Sequence, residues 1–204
     1  MKLSKQEREQ ALTLHLKNYR KQLDALMDAI SIDSLEKIVS VMIEAYRNHN
    51  TIFICGNGGS AATASHMQVD LGFSVRYYKK PCFRARSITD HVSMMTAVGN
   101  DTSYEEIFVQ QLQDNFDEGD VLIGISASGN SMNVVRAAEY ANEHGGTSIA
   151  FVGFTGGKLK EVCHHAIYTP NKKGDYGPIE DLHMILDHFL VTYFREDKEF
   201  MSIT

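Results

Sequence analysis

From Thr51 onward the sequence alternates short apolar runs with helix-length amphipathic stretches, which predicts an α/β fold. Such alternation requires parallel strands joined by right-handed crossovers, hence a three-layer α/β/α sandwich around a five-stranded parallel sheet. The first fifty residues instead carry apolar positions at three-four spacing and no strand pattern, so N-terminal helices precede the core. A length of 204 residues fits one domain with an appended helical arm. Residues 1–50 are read as that arm and residues 51–204 as the core.

In the arm, Leu12, Leu16, Tyr19, Leu23, Leu26, Met27 and Ile30 form one stripe of a long helix. Ser31 to Asp33 interrupt it, and Asp33 with Glu36 makes a capping box for a second helix. That helix turns Leu35, Ile38, Val39, Met42, Ile43 and Tyr46 inward. So long an amphipathic arm must bury its stripe, either over the core or against another subunit.

Strand candidates follow at Thr51–Cys55, Phe83–Ile88, Val121–Ser126, Thr147–Val152 and Ala166–Thr169. Helices are expected after Ser60 to about Leu71, over Asp90–Val98, Met132–His144 and Lys158–Val162, and from Ile179 to Arg195. The last turns Leu182, Ile185, Leu186, Phe189, Leu190 and Tyr193 inward.

Lys and Arg number 20 against 26 Asp and Glu, a net charge of −6, which excludes binding nucleic acid by bulk attraction. An anionic ligand must be held locally. No stretch approaches the roughly 18 uncharged apolar residues of a membrane span, and Met1–Gln10 lacks the apolar centre of a signal peptide. Cys55, Cys82 and Cys163 are an odd, widely spaced set, as expected of reduced thiols in a cytoplasmic protein.

Two loops occupy equivalent places. Gly56-Asn57-Gly58-Gly59-Ser60 and Ser126-Ala127-Ser128-Gly129-Asn130-Ser131 each follow a strong strand and open a helix. Ligands of open α/β sheets collect at that edge, where glycine permits close backbone approach and unpaired amides meet an anion. Ser60, Ser126, Ser128 and Ser131 add hydroxyl donors, enough for a phosphate without any Lys or Arg. Either loop alone reads equally as helix capping and turn formation; the pair points to a phosphate site. Gly56-x-Gly58-x-x-Ala61 also matches a dinucleotide fingerprint, but Arg76-Tyr77-Tyr78-Lys79-Lys80 stands where that fingerprint wants an acid.

Acid–base groups sit on two helices: His66 with Asp70 four residues on, Glu180 with His188 eight residues on, and the pair His183 and Asp187. Two imidazoles and two carboxylates can ligate a divalent metal, or act as general base and general acid between adjacent sugar carbons. Solvated helix faces are the bland alternative.

Cys55-Gly-Asn-Gly-Gly-Ser60, Asp90 through Gly99-Asn100-Asp101, Gly119 through Ser131 and Thr155-Gly-Gly-Lys158 together resemble sugar isomerase (SIS) domains, most closely the phosphoheptose isomerase branch. The resemblance spans about residues 20–195. It implies a flavodoxin-like SIS domain over 51–204, a cytoplasmic homotetramer with sites between subunits, and arm contacts to other subunits. It further implies conversion of sedoheptulose 7-phosphate to a heptose 7-phosphate through an enediol, feeding lipopolysaccharide, capsule or related glycan precursors. Phosphate would rest on Ser60, Ser126, Ser128 and Ser131, with Asn57, Gly58, Gly59, Asp90, Ala127 and Glu180 in the substrate pocket. A divalent metal, usually zinc, would be held by His66, Asp70, Glu180 and His188, with Asp70 as general base and His188 as general acid. Non-catalytic relatives, including binders of a replication initiator or sensors of phosphosugars, keep the loops without the acid–base set. This sequence departs from the family pattern at Asp70 (Glu there), Glu180 (Gln), Ala127 (Thr) and Gly177 (Asp).

Overall fold

The computed structural model describes residues 3–74 and 82–203, so the Arg76–Lys80 run lies outside the described residues. Helices α1 (Lys5–Asp28) and α2 (Ile32–Arg47) lead into strand β1 (Thr51–Gly56) and helix α3 (Gly59–Val69), which continues as a π-helical turn, Asp70–Ser74. Next come β2 (Arg84–Ser87), α4 (Val92–Asp101), a 3₁₀ turn (Tyr104–Glu106), α5 (Val109–Leu112), β3 (Val121–Ser126) and α6 (Met132–Glu143). The chain ends with β4 (Thr147–Val152), α7 (Gly157–Val162), β5 (His165–Tyr168), α8 (Tyr176–Glu196) and α9 (Lys198–Ser202).

The five strands are parallel in the order β2-β1-β3-β4-β5. Period-two side-chain alternation splits the sheet residues between two cores. Ile52, Ile54, Ile123, Ile125, Ile149, Phe151 and Ile167 pack with α2, α3 and α8. Phe53, Cys55, Leu122, Ala150 and Val152 pack with α6 and the 98–116 segment on the other face. The strand order reverses between β1 and β3, and in open α/β sheets a crevice opens at such a point outside the strands' carboxyl ends. Both glycine-serine loops leave the sheet there.

Several local expectations change. The α2 N-cap is Ser31, whose hydroxyl accepts from Ser34 N at 3.2 Å, whereas Asp33 lies inside the first turn and pairs with Lys37 at 2.7 Å. Helix α1 instead carries an unforeseen capping box, Ser4 with Glu7. Of its predicted stripe only Leu26 is buried; Leu12 and Leu16 are 62% and 71% exposed. On α8 the buried row runs Ile179, Leu182, His183, Leu186, Asp187, Leu190, Val191 and Phe194. Phe189 and Tyr193 belong instead to an open groove against Ile32, Leu35, Val39 and Ile43 of α2. Helix α9 extends the fold beyond the expected end, setting Phe200 against Tyr46, Phe83 and Phe194. The three cysteines are free thiols, and burial pushes Cys163 up to about 11. Among the described residues no helix is long and apolar enough to cross a membrane.

Candidate active site

The two loops close around a polar cavity of about 180 Å³. Of the expected pocket residues, Asn57, Ser60, Ser126, Ala127, Ser128, Ser131 and Glu180 line it, joined by Ile125 and Tyr176. Helix capping does not account for these serines. The N-cap of α3 is Gly58 and that of α6 is Ser131, and neither makes a side-chain cap bond. The turn itself accounts for part of the second loop: Gly129 N donates to Ser126 Oγ at 3.1 Å and Asn130 N to Ser128 Oγ at 3.2 Å. Ser131 Oγ stands 3.4 Å from Ser126 Oγ. Hydroxyls therefore converge on the cavity with no lysine or arginine lining it among the described residues.

Three further residues shape this end. Asn57 and Asn133 exchange reciprocal amide bonds, each 2.9 Å, and Tyr104 Oη donates to Asn57 Oδ1 at 2.9 Å. Gly58 takes φ +56°, a turn that suits glycine, and a Cβ on Gly59 would lie 2.3 Å from Glu180 Oε2. The Glu180 carboxylate thus leans on the first loop. Asp90 is outside the cavity, at the end of the β2 edge, where it accepts a short hydrogen bond from Ser65 Oγ of α3.

A second group of polar residues lies farther along the same two helices. His66 Nε2 and His188 Nε2 are 3.1 Å apart, their rings at 76°. Asp70 Oδ2 stands 3.6 Å from the first and 3.9 Å from the second. Asp70 closes α3 in ordinary α-helical geometry, one turn after His66, and the π-helical turn begins from it, so its carboxylate stands beside both imidazoles. The fourth member is Asp187: ligand atoms of His66, Asp70, Asp187 and His188 all lie within 4.8 Å of one another. Two ligands at tetrahedral zinc–nitrogen distances stand about 3.3 Å apart, so this donor set fits such an ion.

His183 and Asp187 are not a solvated pair; they are 1% and 0% exposed. Both ring nitrogens of His183 and both carboxylate oxygens of Asp187 are buried without a hydrogen-bond partner among the described residues. Burial, reinforced by the charge of Asp70, pushes Asp187 up to about 8, and burial alone pushes His183 down to about 3. The signal for their burial was in the sequence, since both fall on the three-four row from Ile179 to Phe194. Tyr104, Asn133 and Tyr176 gave no comparable signal, because nothing local marks which exposed tyrosine or helical asparagine faces a cavity.

Helices α3 and α8 run side by side in the same sense. Gly59 meets Glu180 at one end and His66 meets His188 at the other. At 1.5 Å rise per residue, Ser60 to His66 spans about 9 Å and Glu180 to His188 about 12 Å.

A model of the SIS domain matches residues 18–153. The phosphoheptose isomerase of Aneurinibacillus thermoaerophilus is 37% identical over 171 residues, covering 84% of this chain and 85% of that protein. Phosphoheptose isomerase GmhA from Neisseria gonorrhoeae superposes with a TM-score of 0.78 at 27% identity, covering 95% of this chain and 100% of that one. A phosphoheptose isomerase from Francisella tularensis shares the fold at a TM-score of 0.82 and 24% identity, over 93% and 99% of the two chains. A matched domain model, a shared fold and this identity across most of both chains place the protein in the SIS-domain family, among the phosphoheptose isomerases.

Proposed function

We propose that the protein interconverts a ketose phosphate and its aldose, with sedoheptulose 7-phosphate and a heptose 7-phosphate as the pair. The observation that carries this reading is the meeting of His66 and His188, from different helices, at 3.1 Å beside Asp70. A serine-lined cavity lies at the other end of the same helices. The spacing between the two ends suits an extended sugar chain with a terminal phosphate.

The serine hydroxyls and loop amides hold the phosphate as neutral donors, which suits a chain of net charge −6. Asn57, the Gly58–Gly59 turn, Ala127 and Glu180 shape the space beside it, and Asp90 faces the sugar from the sheet edge. Asp70 removes a proton from C1 of the ketose and returns it to C2 of the aldose. His188 protonates the C2 oxygen as the carbonyl moves and accepts the proton of the C1 hydroxyl, so the proton count closes through an enediol. His66, Asp70 and His188 would hold a divalent ion such as zinc. When bound, such an ion polarises the sugar carbonyl.

The closeness of the two imidazoles and Asp70 favours an enzyme over a non-catalytic relative. Exposed Leu12, Leu14 and Leu16 on α1 support the arm's reading as a subunit contact of a homotetramer. A cytoplasmic location, with heptose delivered to glycan precursors, follows from the same reading. Zinc-supplied protein should isomerise seven-carbon ketose phosphates. His188→Ala should lower kcat by about 100-fold or more while retaining phosphosugar binding. Failure of the wild type to convert any such ketose phosphate, or full activity in His188→Ala, would overturn the reading.

A further inference from the structure

The Asp187 carboxylate is fully buried, carries a charge-bearing group into the protein interior, and meets no hydrogen-bond donor among the described residues. Isolated buried carboxylates are costly unless paired or bound to a metal. Its ligand atom lies within 4.8 Å of those of His66, Asp70 and His188. We propose that Asp187 is the fourth protein ligand of a divalent metal centre made of His66, Asp70, Asp187 and His188, and that Glu180 serves the substrate cavity instead.

Three observations support this division. Glu180 is held against Gly59, where a Cβ would lie 2.3 Å from its Oε2, and it lines the phosphate cavity. Eight helical residues separate it from His188, about 12 Å along the axis. Charge argues the same way. Two neutral imidazoles and two carboxylates balance a divalent cation, whereas a third carboxylate would leave the centre negative where the reaction develops an anionic enediol. Among the described residues Asp187 also has no hydrogen-bond partner, while Tyr19 and Gln22 of α1 supply hydrogen bonds to Asp181 and Asp175 near the start of α8. The inference rests on the metal part of the proposed function and is independent of which sugar is bound.

The test uses full-length protein stripped with chelator and reloaded with zinc or cobalt(II). Wild type should bind one ion per chain. Asp187→Asn should weaken zinc binding by at least tenfold and change the visible cobalt absorption from a four-coordinate to a weaker, higher-coordinate pattern. Glu180→Gln should stay within threefold of wild type. Metal-free Asp187→Ala should melt no lower than metal-free wild type, since the lost carboxylate is unpaired, and zinc should raise its Tm less. This second variant keeps the test decisive if Asp187→Asn does not fold. Wild-type zinc affinity in Asp187→Asn, or a loss in Glu180→Gln as large as in Asp187→Asn, would overturn the assignment. If His66→Ala binds as much zinc as wild type, the metal centre itself falls. If His66→Ala loses zinc while both Asp187 variants keep it, only the role of Asp187 falls.

Discussion

Gly129→Ala tests whether the serine loop is held rigidly enough to grip a phosphate. Gly129 sits at φ +65°, and an added Cβ would lie 1.8 Å from the carbonyl oxygen of Gly156 and 2.6 Å from its carbon. Alanine in the left-handed region costs about 1 kcal/mol. The clash is with backbone, so no side chain can swing aside; the Ser126–Ser131 loop and the Gly156–Gly157 turn must separate by about 1.6 Å to restore an ordinary contact near 3.4 Å. That separation stretches the bond from Leu159 N to Gly129 O, now 2.8 Å, and that from Lys158 N to Asn130 Oδ1, now 3.3 Å. At about 1 kcal/mol per lost bond, the total destabilisation is about 3 kcal/mol. The same shift drags Ser128, whose carbonyl lies 2.5 Å from where a Cβ on Gly157 would stand. Misplacement of a positioned group by about an ångström costs on the order of 100-fold in rate.

Urea unfolding gives the stability, and initial rates against phosphosugar concentration give KM and kcat. Gly174→Ala is the control: φ is +91° and nothing lies within 4 Å of its added Cβ. It should lose about 1 kcal/mol with unchanged kinetics. Gly129→Ala should lose about three times that and raise KM at least tenfold. A Gly129→Ala protein as stable as the Gly174→Ala control, with wild-type KM, would refute the rigid-loop argument.

Tyr19 of α1 donates to Asp181 Oδ2 at 2.5 Å, and burial followed by that carboxylate raises the phenol to about 12. Because the folded phenol holds its proton above the ordinary value near 10, the contact stabilises fully below about pH 10 and is lost as pH rises towards 12. Tyr19→Phe should therefore be less stable than wild type at pH 8, by about 1 kcal/mol, with the gap closing across that window in alkaline urea titrations. A gap unchanged up to pH 12 would show that the hydroxyl is not the source. Tyr104→Phe removes the donor to Asn57 and should raise KM by up to about tenfold, with kcat within twofold. A fall in kcat at constant KM would instead place Tyr104 in the chemistry.

The centre of the sheet was legible because β1, β3 and β4 are buried nearly throughout and announce themselves as apolar runs, whereas the edge strand β2 exposes Arg84 and Arg86. The loops at β1 and β3 were legible because glycine and serine cluster where strand patterning stops. His66, Asp70 and His188 were found through helical spacing, yet the same spacing did not say which neighbours turn inward. His183 and Asp187 looked like a surface pair because charge outweighed position, although both sit on the apolar row of α8. The Asp33 capping box failed for a related reason. Ser31 and Asp33 both suit an N-cap, and the helix began at the earlier one, leaving Asp33 to pair with Lys37. The α1 stripe is apolar in sequence, yet Leu12 and Leu16 stand exposed, which spacing along a single helix does not reveal.

The relation between the two ends of the site explains why sequence distance carries functional information here. Ser60 and His66 are locked in one helix, and Glu180 and His188 in another, so neither pair changes separation without breaking backbone hydrogen bonds. On the proposed binding mode, substrate length is measured by helical rise: moving a ligand-bearing residue by one turn displaces it by about 5.4 Å, several carbon–carbon bonds of a sugar chain. A ketose phosphate shorter by two or three carbons would leave its carbonyl short of His188 when its phosphate rests on the serines. Side chains can tune the reach by about an ångström, but they cannot make up that difference. The proposed function thus predicts that selectivity for chain length resides in the parallel packing of α3 and α8, with stereochemistry left to the residues between the ends.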